Sequence, residues 1–445
     1  MRRIAKLGAY GLGIVALSLA AAAQTETAEA QQPGAPGAPV TITLQDALGR
    51  ARANLPQFQA ALVEVGLARQ DRVQTRAAML PSVSYTTSYL YTQGNGTPTG
   101  VFIANNAVHE YVSQGNAHQA LNLGPGQMAE FRRAGAAVAL ARARAEIAAR
   151  GLVVTVVQNY YGYVVSQRKY ASAQQAAAEA QHFLTISQEL ERGGEVAHSD
   201  VIKAQLQFNQ RRREVREASL AMDKARLGLA VLLFPNFSQD FSVVDDLRLA
   251  PPLPTLPEVA QMAQKNNAEL RAAGAALRMA EREVQVAWAG HLPTLTVDWW
   301  YGIDADHFAT YSGRVHNLGY AAQATLNIPV WNWGAIQSKV KQADLRRKQA
   351  RLELTFAQKQ ALANLQGFYQ EAATARAELD TLRNSAELAA ESLRLTNLRY
   401  QAGEAMALEV VDAQNTLVLA RNAYDDGEAR YRLALANLQT LTGSF

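Results

Sequence analysis

The stretch "HLPTLTVDWWYGI", His291 to Ile303, is apolar at every second residue. Leu295, Val297, Trp299, Tyr301 and Ile303 fall on one side, with Thr294, Thr296, Asp298 and Gly302 on the other. A repeat of two is strand periodicity, yet the segments around it are long and helical in character. An earlier stretch, "MLPSVSYTTSYLY" (Met79 to Tyr91), has the same Leu-Pro entry and a matching apolar phase. The fold turns on what a short aromatic strand, present twice, does in a mainly helical chain.

The two copies belong to a larger repeat. Pro293 follows Pro81 by 212 residues, and the same offset relates Leu44 to Leu256, Asn54 to Asn266, Ala77 to Ala289 and Leu80 to Leu292. An offset of 209 residues aligns "GEVAHSDVIKAQ" at Gly194 with "GEAMALEVVDAQ" at Gly403. Apolar residues then recur every seventh position in both copies: Val201, Phe208, Val215, Met222 and Leu229 against Val410, Leu417, Tyr424, Tyr431 and Leu438. A heptad seam kept in two copies marks a tandem duplication whose helices pack along one side.

Each half reads as a helix (about 57–80 and 268–290) that stops at Leu-Pro, because proline disfavours the helical conformation of the residue before it. Strands are expected at about 82–92 and 111–123, and again at 294–303 and 317–328, separated by loops from Gln93 to about Asn106 and from Asp304 to about His316. Long helices follow at about 127–191 and 335–401, reaching roughly 95–100 Å if continuous. They break at Gly193-Gly194 and at Ala402-Gly403, where glycine ends a helix. Return helices cover about 197–232 and 406–441. The first repeat is therefore 44–234 and the second 258–445, joined by a 235–257 linker. Within it "APPLPTLP" (Ala250 to Pro257) reads as a rigid segment that no helix enters.

Composition narrows the class. The chain has 445 residues, is 49% apolar and carries a net charge of only +4. Its charges are interspersed, so no basic field indicates nucleic acid; Arg211-Arg212-Arg213, followed by Glu214 and Glu217, reads as a solvated helix face. Arg2, Arg3 and Lys6 precede an apolar run from Leu7 to about Ala23, the layout of an export signal over 1–30. Cleavage is expected after Ala30 or, alternatively, Ala23, leaving a Pro/Gly-rich segment over 31–43. There is no cysteine, which excludes disulfides and thiol metal sites. The seven histidines (109, 118, 182, 198, 291, 307 and 316) show no ligand spacing. Asp304, Asp306, His307 and His316 read as polar loop composition, and no catalytic, cofactor or metal site is expected.

Helices alone would suit a soluble coiled-coil rod. Strands of about 9–11 residues with one apolar face and aromatic ends instead fit a membrane barrel, with Tyr89, Tyr91, Trp299, Trp300 and Tyr301 as its interfacial aromatics. Four strands cannot close a barrel, since unpaired edges are not tolerated in lipid. Several chains must then share one barrel.

These features together resemble the TolC-type outer-membrane efflux protein family. The resemblance is carried by the two-fold repeat, the Leu-Pro before each strand, "NIPVWNWGAIQSKVKQA" (Asn327 to Ala343) and "YQAGEAMALEVVDAQNTLVLA" (Tyr400 to Ala420), over about Leu44 to Gly443. It implies a mainly α fold with a small membrane β part: long α-helical coiled-coil hairpins and four transmembrane strands per chain. A homotrimer would share a twelve-stranded barrel and an α-helical tunnel reaching into the periplasm of a Gram-negative type envelope. It also implies a passive, non-enzymatic duct in the cell outer membrane, taking small molecules or drugs from a periplasmic adaptor and an inner-membrane pump. The exit duct of a type I protein secretion system, served by an ABC transporter, is the alternative within the fold. A soluble periplasmic adaptor is the alternative outside it. The resemblance implies a closed mouth lined by Glu409 and Asp412, with Tyr400 in its gate network. Ala405 stands where some members carry a basic residue. The turns at Gly193, Gly194 and Gly403 would meet the adaptor. The first-copy counterparts of the two acids are Asp200 and Lys203.

Overall fold

The computed structural model describes residues 40–92, 108–236, 239–249 and 251–443. The export signal, most of the 31–43 segment and nearly all of the first hairpin loop lie outside the described residues. Every described helix lies within the unit Thr41–Phe445.

The elements repeat in register. Helices α1 (Leu44–Asn54) and α2 (Pro56–Ala77) precede strands β2 (Ser82–Tyr91) and β3 (His109–Asn122); β1 (Val40–Ile42) comes before them all. Helices α3 (Gly126–Arg192) and α4 (His198–Leu233) then form a long antiparallel hairpin. After β4 (Phe241–Val243), the second copy brings α5 (Leu256–Asn266), α6 (Ala268–Ala289), β5 (Thr294–Ala305), the short β6 (Tyr311–Ser312) and β7 (Val315–His316), β8 (Leu318–Asn327), α7 (Ala335–Gln401) and α8 (Ala407–Thr442). Helices α1, α2, α5 and α6 keep the offset of 212 and the two long hairpins that of 209, with equal helix lengths in both copies.

Local chemistry explains the boundaries. Thr43 and Asp46 form a reciprocal capping box at the start of α1, as Thr255 and Glu258 do for α5. These boxes bring helix α5 into the segment expected to exclude helix. It starts at Leu256 with Pro257 in its first turn, where the missing N–H has no intrahelical acceptor to lose. The α1–α2 break falls at extended Leu55, ahead of Pro56. The matching α5–α6 break has no proline; there Asn267 is extended and its side chain accepts from the Leu270 N–H at 3.1 Å. One break is steric and the other is made by a cap.

All ten heptad residues are buried or half-buried. Each long helix spans roughly 100 Å, and shorter helices pack in succession along it: α2 and α4 on α3, α6 and α8 on α7. Arg211 departs from the expected solvated face. It is buried, and its guanidinium bonds Glu214 and, across to α8, Asn415, each at 2.5 Å. Consecutive residues of a helix are about 100° apart, so three arginines in a row cannot all face water.

The main core lies midway along the hairpins, where Tyr160, Val164, Leu229, Leu233, Phe241 and Leu247 pack with Ile42. The Tyr160 hydroxyl donates to the carbonyls of Ile42 (3.1 Å) and Val244 (2.7 Å), tying α3 to the β1–β4 pair. Beside it Arg168 of α3 contacts three carboxylates: Asp245 at 2.5 and 2.7 Å, Asp425 at 2.9 Å and Glu428 at 2.5 Å. Burial pushes the Asp425 carboxyl above the usual carboxylate range, against the pull of Arg168. This cluster joins the first repeat, the linker and the second repeat at one point.

Candidate functional site: an aromatic sheet and a hairpin tip

Four strands form one antiparallel sheet in the order β2-β3-β5-β8. Its register sorts the side chains. Tyr85 lies opposite Gly115, which lies opposite Tyr301, which lies opposite Tyr320. That face carries Val83, Tyr89, Tyr91, Tyr111, Leu121, Leu295, Val297, Trp299, Leu318 and Leu326, and most of it is exposed. The other face carries Ser84, Thr86, Gln114, Asn116, His118, Thr296, Asp298, Gln323 and Thr325. One face is greasy and the other polar, the pattern of a barrel wall that is apolar outward and wet inward.

Tyr89, Tyr91, Trp299 and Tyr301 share the apolar face, but Trp300 does not. It sits between Asn116 and Ala321 on the polar face, because neighbouring strand residues point to opposite sides. Two further aromatics lie outside the strand pattern: Trp331 and Trp333, just beyond β8, have rings 5.7 Å apart and are 75% and 88% exposed. Trp333 has φ +53°, a conformation uncommon for a bulky residue. The clustering of all five tryptophans within 288–333 is the sequence signal that marks them. Both sheet edges, β2 and β8, lack a pairing strand among the described residues. No described helix is long and apolar enough to cross a membrane.

At the far end the two hairpins turn together. At Gly194 (φ +76°) the Glu195 N–H reaches the Leu190 carbonyl at 2.9 Å; at Gly403 (φ +73°) the Glu404 N–H reaches the Arg399 carbonyl at 2.8 Å. These are Schellman ends, which place a left-handed residue after the cap and so favour glycine. Gly193 is right-handed, at φ −76°, like its counterpart Ala402 at φ −82°. Its backbone does not require glycine.

Behind the turns Tyr400 is only 3% exposed, packed with Phe183, Leu184, Val201 and Val410. Its ring lies 5.1 Å from that of Phe183 and its hydroxyl 3.0 Å from the Ser187 Oγ. Ser187 itself donates to the Phe183 carbonyl at 2.9 Å, so Tyr400 is the donor between them. Burial pushes the phenol's pKa up, which keeps it protonated for that bond. A residue of the second hairpin is thereby latched to the first. Sequence spacing could not pair Tyr400 with Ser187, 213 positions away.

Glu409 and Asp412 stand one turn apart at the start of α8. Glu409 accepts from the Met406 N–H at 3.1 Å and lies 3.4 Å from Arg399, whose other nitrogen holds the Glu404 carbonyl at 3.1 Å. Asp412 is exposed. In the first copy Lys203 pairs with Asp200 at 3.0 Å and in the second Arg399 pairs with Glu409 at 3.4 Å, so the charge difference between the matched positions rests on Asp412, which stands where the first copy has Lys203. Elsewhere, Asp306 contacts its neighbour His307 at 2.9 Å, while the His316 ring meets Tyr311.

Comparison with known proteins bears on both ends. The family model for outer membrane efflux proteins matches residues 47–233 and 259–444, one segment per repeat. The alkaline protease secretion protein AprF of Pseudomonas aeruginosa is 25% identical over 418 residues, covering 90% of this chain and 84% of AprF. The outer membrane protein TolC of Vibrio cholerae is 23% identical over 417 residues, covering 90% of each. The crystal structure of the Vibrio cholerae outer membrane protein VceC superposes with a TM-score of 0.78 at 15% identity, covering 90% of this chain and 96% of that one.

Proposed function

We infer the function of this chain from one premise: it belongs to the outer membrane efflux protein family, whose model spans both repeats. It is an outer-membrane efflux duct with the TolC-like fold. The observation that carries the mechanism is the sheet with one apolar face and two open edges. Edges in lipid must be paired, so β8 of one chain joins β2 of the next, and three chains close a twelve-stranded barrel. The long hairpins continue it as a tunnel into the periplasm. Tyr89 and Tyr91, at the loop end of β2, mark the outer membrane–water boundary, Trp299 and Tyr301 lie mid-strand on the apolar face rather than at its loop end, and Trp331 and Trp333 mark the periplasmic boundary.

The duct is passive and catalyses no reaction. The turns at Gly194 and Gly403 contact a periplasmic adaptor, which couples the mouth to an inner-membrane pump. Small molecules or drugs are the cargo; export of protein, as in the name of AprF, is the second reading. Glu409 and Asp412, repeated by the oligomer, make acidic rings at the mouth that attract cations and repel anions.

Two experiments test this. Mature protein extracted from outer membranes should have a trimer's mass and conduct in a planar bilayer; a soluble monomer without conductance would exclude the duct. The double variant Glu409→Lys/Asp412→Lys should conduct with reduced or reversed cation preference, and unchanged selectivity would remove these residues from the constriction.

The latch gives a separate expectation. Tyr400→Phe removes one buried hydrogen bond while keeping the ring, a loss of about 1 kcal/mol. The closed mouth should open about five-fold more often in single-channel recordings. An unchanged open probability would mean that the Tyr400–Ser187 bond persists when the mouth opens.

A further inference from the structure

The polar face of the sheet carries a pair that the tip does not explain. Nδ1 of His118 on β3 lies 2.7 Å from Oδ1 of Asp298 on β5, directly opposite it in the register. Asp298 is the more enclosed partner, its side chain 17% exposed against 47% for His118. Both project from the face that the barrel reading turns inward.

The surroundings make this pair electrically conspicuous. None of the four strands contains a lysine or an arginine. Their only acids, Glu110, Asp298 and Asp304, all lie on the polar face. Around the pair, β2 offers Ser82 and Ser84, and β8 offers Gln323 opposite Asp298, none of them charged. Glu110 lies eight residues from His118 along β3, and Asp304 six from Asp298 along β5; at strand rise these are about 26 and 20 Å, beyond a Debye length of about 10 Å in 0.1 M salt. At the foot of the sheet Glu130 of α3 pairs with Arg133. Among the described residues of the four strands, His118 is therefore the one titratable neighbour of Asp298, and no strand cation offsets it.

We propose that His118 and Asp298 form a second ion-selecting ring, inside the barrel, whose charge is set by pH. This rests on the trimeric duct argued above. An ionised carboxylate only accepts, so His118 donates through Nδ1. With a neutral imidazole each pair carries one negative charge, three around the barrel. Protonation of the imidazole keeps the hydrogen bond and brings each pair to zero. Taking up that proton thus erases the ring's attraction for cations without moving a strand. The ring acts on small ions and charged cargo leaving the cell, independently of the mouth.

The test is reversal potential in a salt gradient at pH 8 and pH 5.5. It is made on wild-type protein and on a background with the mouth neutralised (Glu409→Gln/Asp412→Asn), so that a narrow tip does not mask the barrel. Cation-over-anion permeability should fall about three-fold on acidification, the effect of three unit charges lining a water-filled pore at 0.1 M salt. His118→Gln should keep the pH 8 selectivity at both values. Asp298→Asn should show a weaker cation preference than wild type at pH 8, the remainder coming from Glu110 and Asp304 on the same face. A pH response that survives in His118→Gln, or selectivity indifferent to pH in a conducting wild type, would overturn the ring alone. Absence of conductance from wild-type protein would overturn the duct and the ring with it.

Discussion

Arg168→Met should lower the stability of the chain by about 3 kcal/mol or more, the usual consequence of removing one partner from a buried charge cluster. Arg168 is 17% exposed, and its carboxylate partners Asp425 and Glu428 are 14% and 5% exposed. Without the guanidinium, two enclosed acids on α8 and Asp245 on the linker face one another. Protonation is their cheapest relief. Burial already holds the Asp425 pKa above its ordinary value, so the folded chain binds a proton there more tightly than the unfolded one. A carboxyl raised in this way costs stability as pH climbs through its folded pKa, and costs nothing below the unfolded value. Loss of Arg168 raises it further, so the defect should be largest at pH 8 and shrink towards pH 5. Denaturant unfolding at the two pH values checks this, and adding Glu428→Gln should recover part of the loss. A variant as stable as wild type at pH 8 would show that the acids are solvated.

The second large effect is expected in the sheet. A Cβ on Gly302 would lie 2.2 Å from the Ser113 carbonyl oxygen and 2.4 Å from the Gln114 Cα, both backbone atoms of the paired strand β3. Space is the first obstacle, and the glycine's φ of +159°, which side chains rarely adopt, adds to it. Gly302→Ala must push β5 away from β3 at the centre of the sheet, at a cost of at least about 3 kcal/mol. Loss of the assembled outer-membrane form is the expected result, read as the disappearance of a trimer from detergent extracts. Gly319 is the control: it pairs with Gly302 across β8, yet a Cβ there meets nothing within 4 Å. Gly319→Ala should assemble normally. If both variants assemble alike, the tight approach of β3 and β5 is not required for the barrel.

Features written as periodicity are legible in the sequence. The alternation of Leu295, Val297, Trp299 and Tyr301 and the heptads from Val201 and Val410 give strand and seam directly, because burial selects residue type at a fixed spacing. Pro257 misleads, since proline excludes a helix only from its interior and is welcome in its first turn. Trp300 stands beside the belt aromatics in sequence, yet strand geometry sends consecutive residues to opposite faces. What stays hidden depends on pairing across the chain. Ser187 with Tyr400, Arg168 with Asp425 and Glu428, and His118 with Asp298 lie 180 to 260 positions apart. A single sequence carries no record of which distant residues meet.

The matched helix lengths of the two repeats have a consequence for symmetry. Half of this chain holds two strands and one long hairpin, so a half-length protein of the same design would need six copies to close an equivalent barrel and tunnel. Every position would then appear six times around the axis, and any acidic ring would be continuous. Joining two halves in one polypeptide reduces sixfold to threefold symmetry. Neighbouring hairpins can then differ, as Asp200 and Lys203 do from Glu409 and Asp412. The duplication leaves the pore's size as it was and frees alternate staves of its wall to carry different charge.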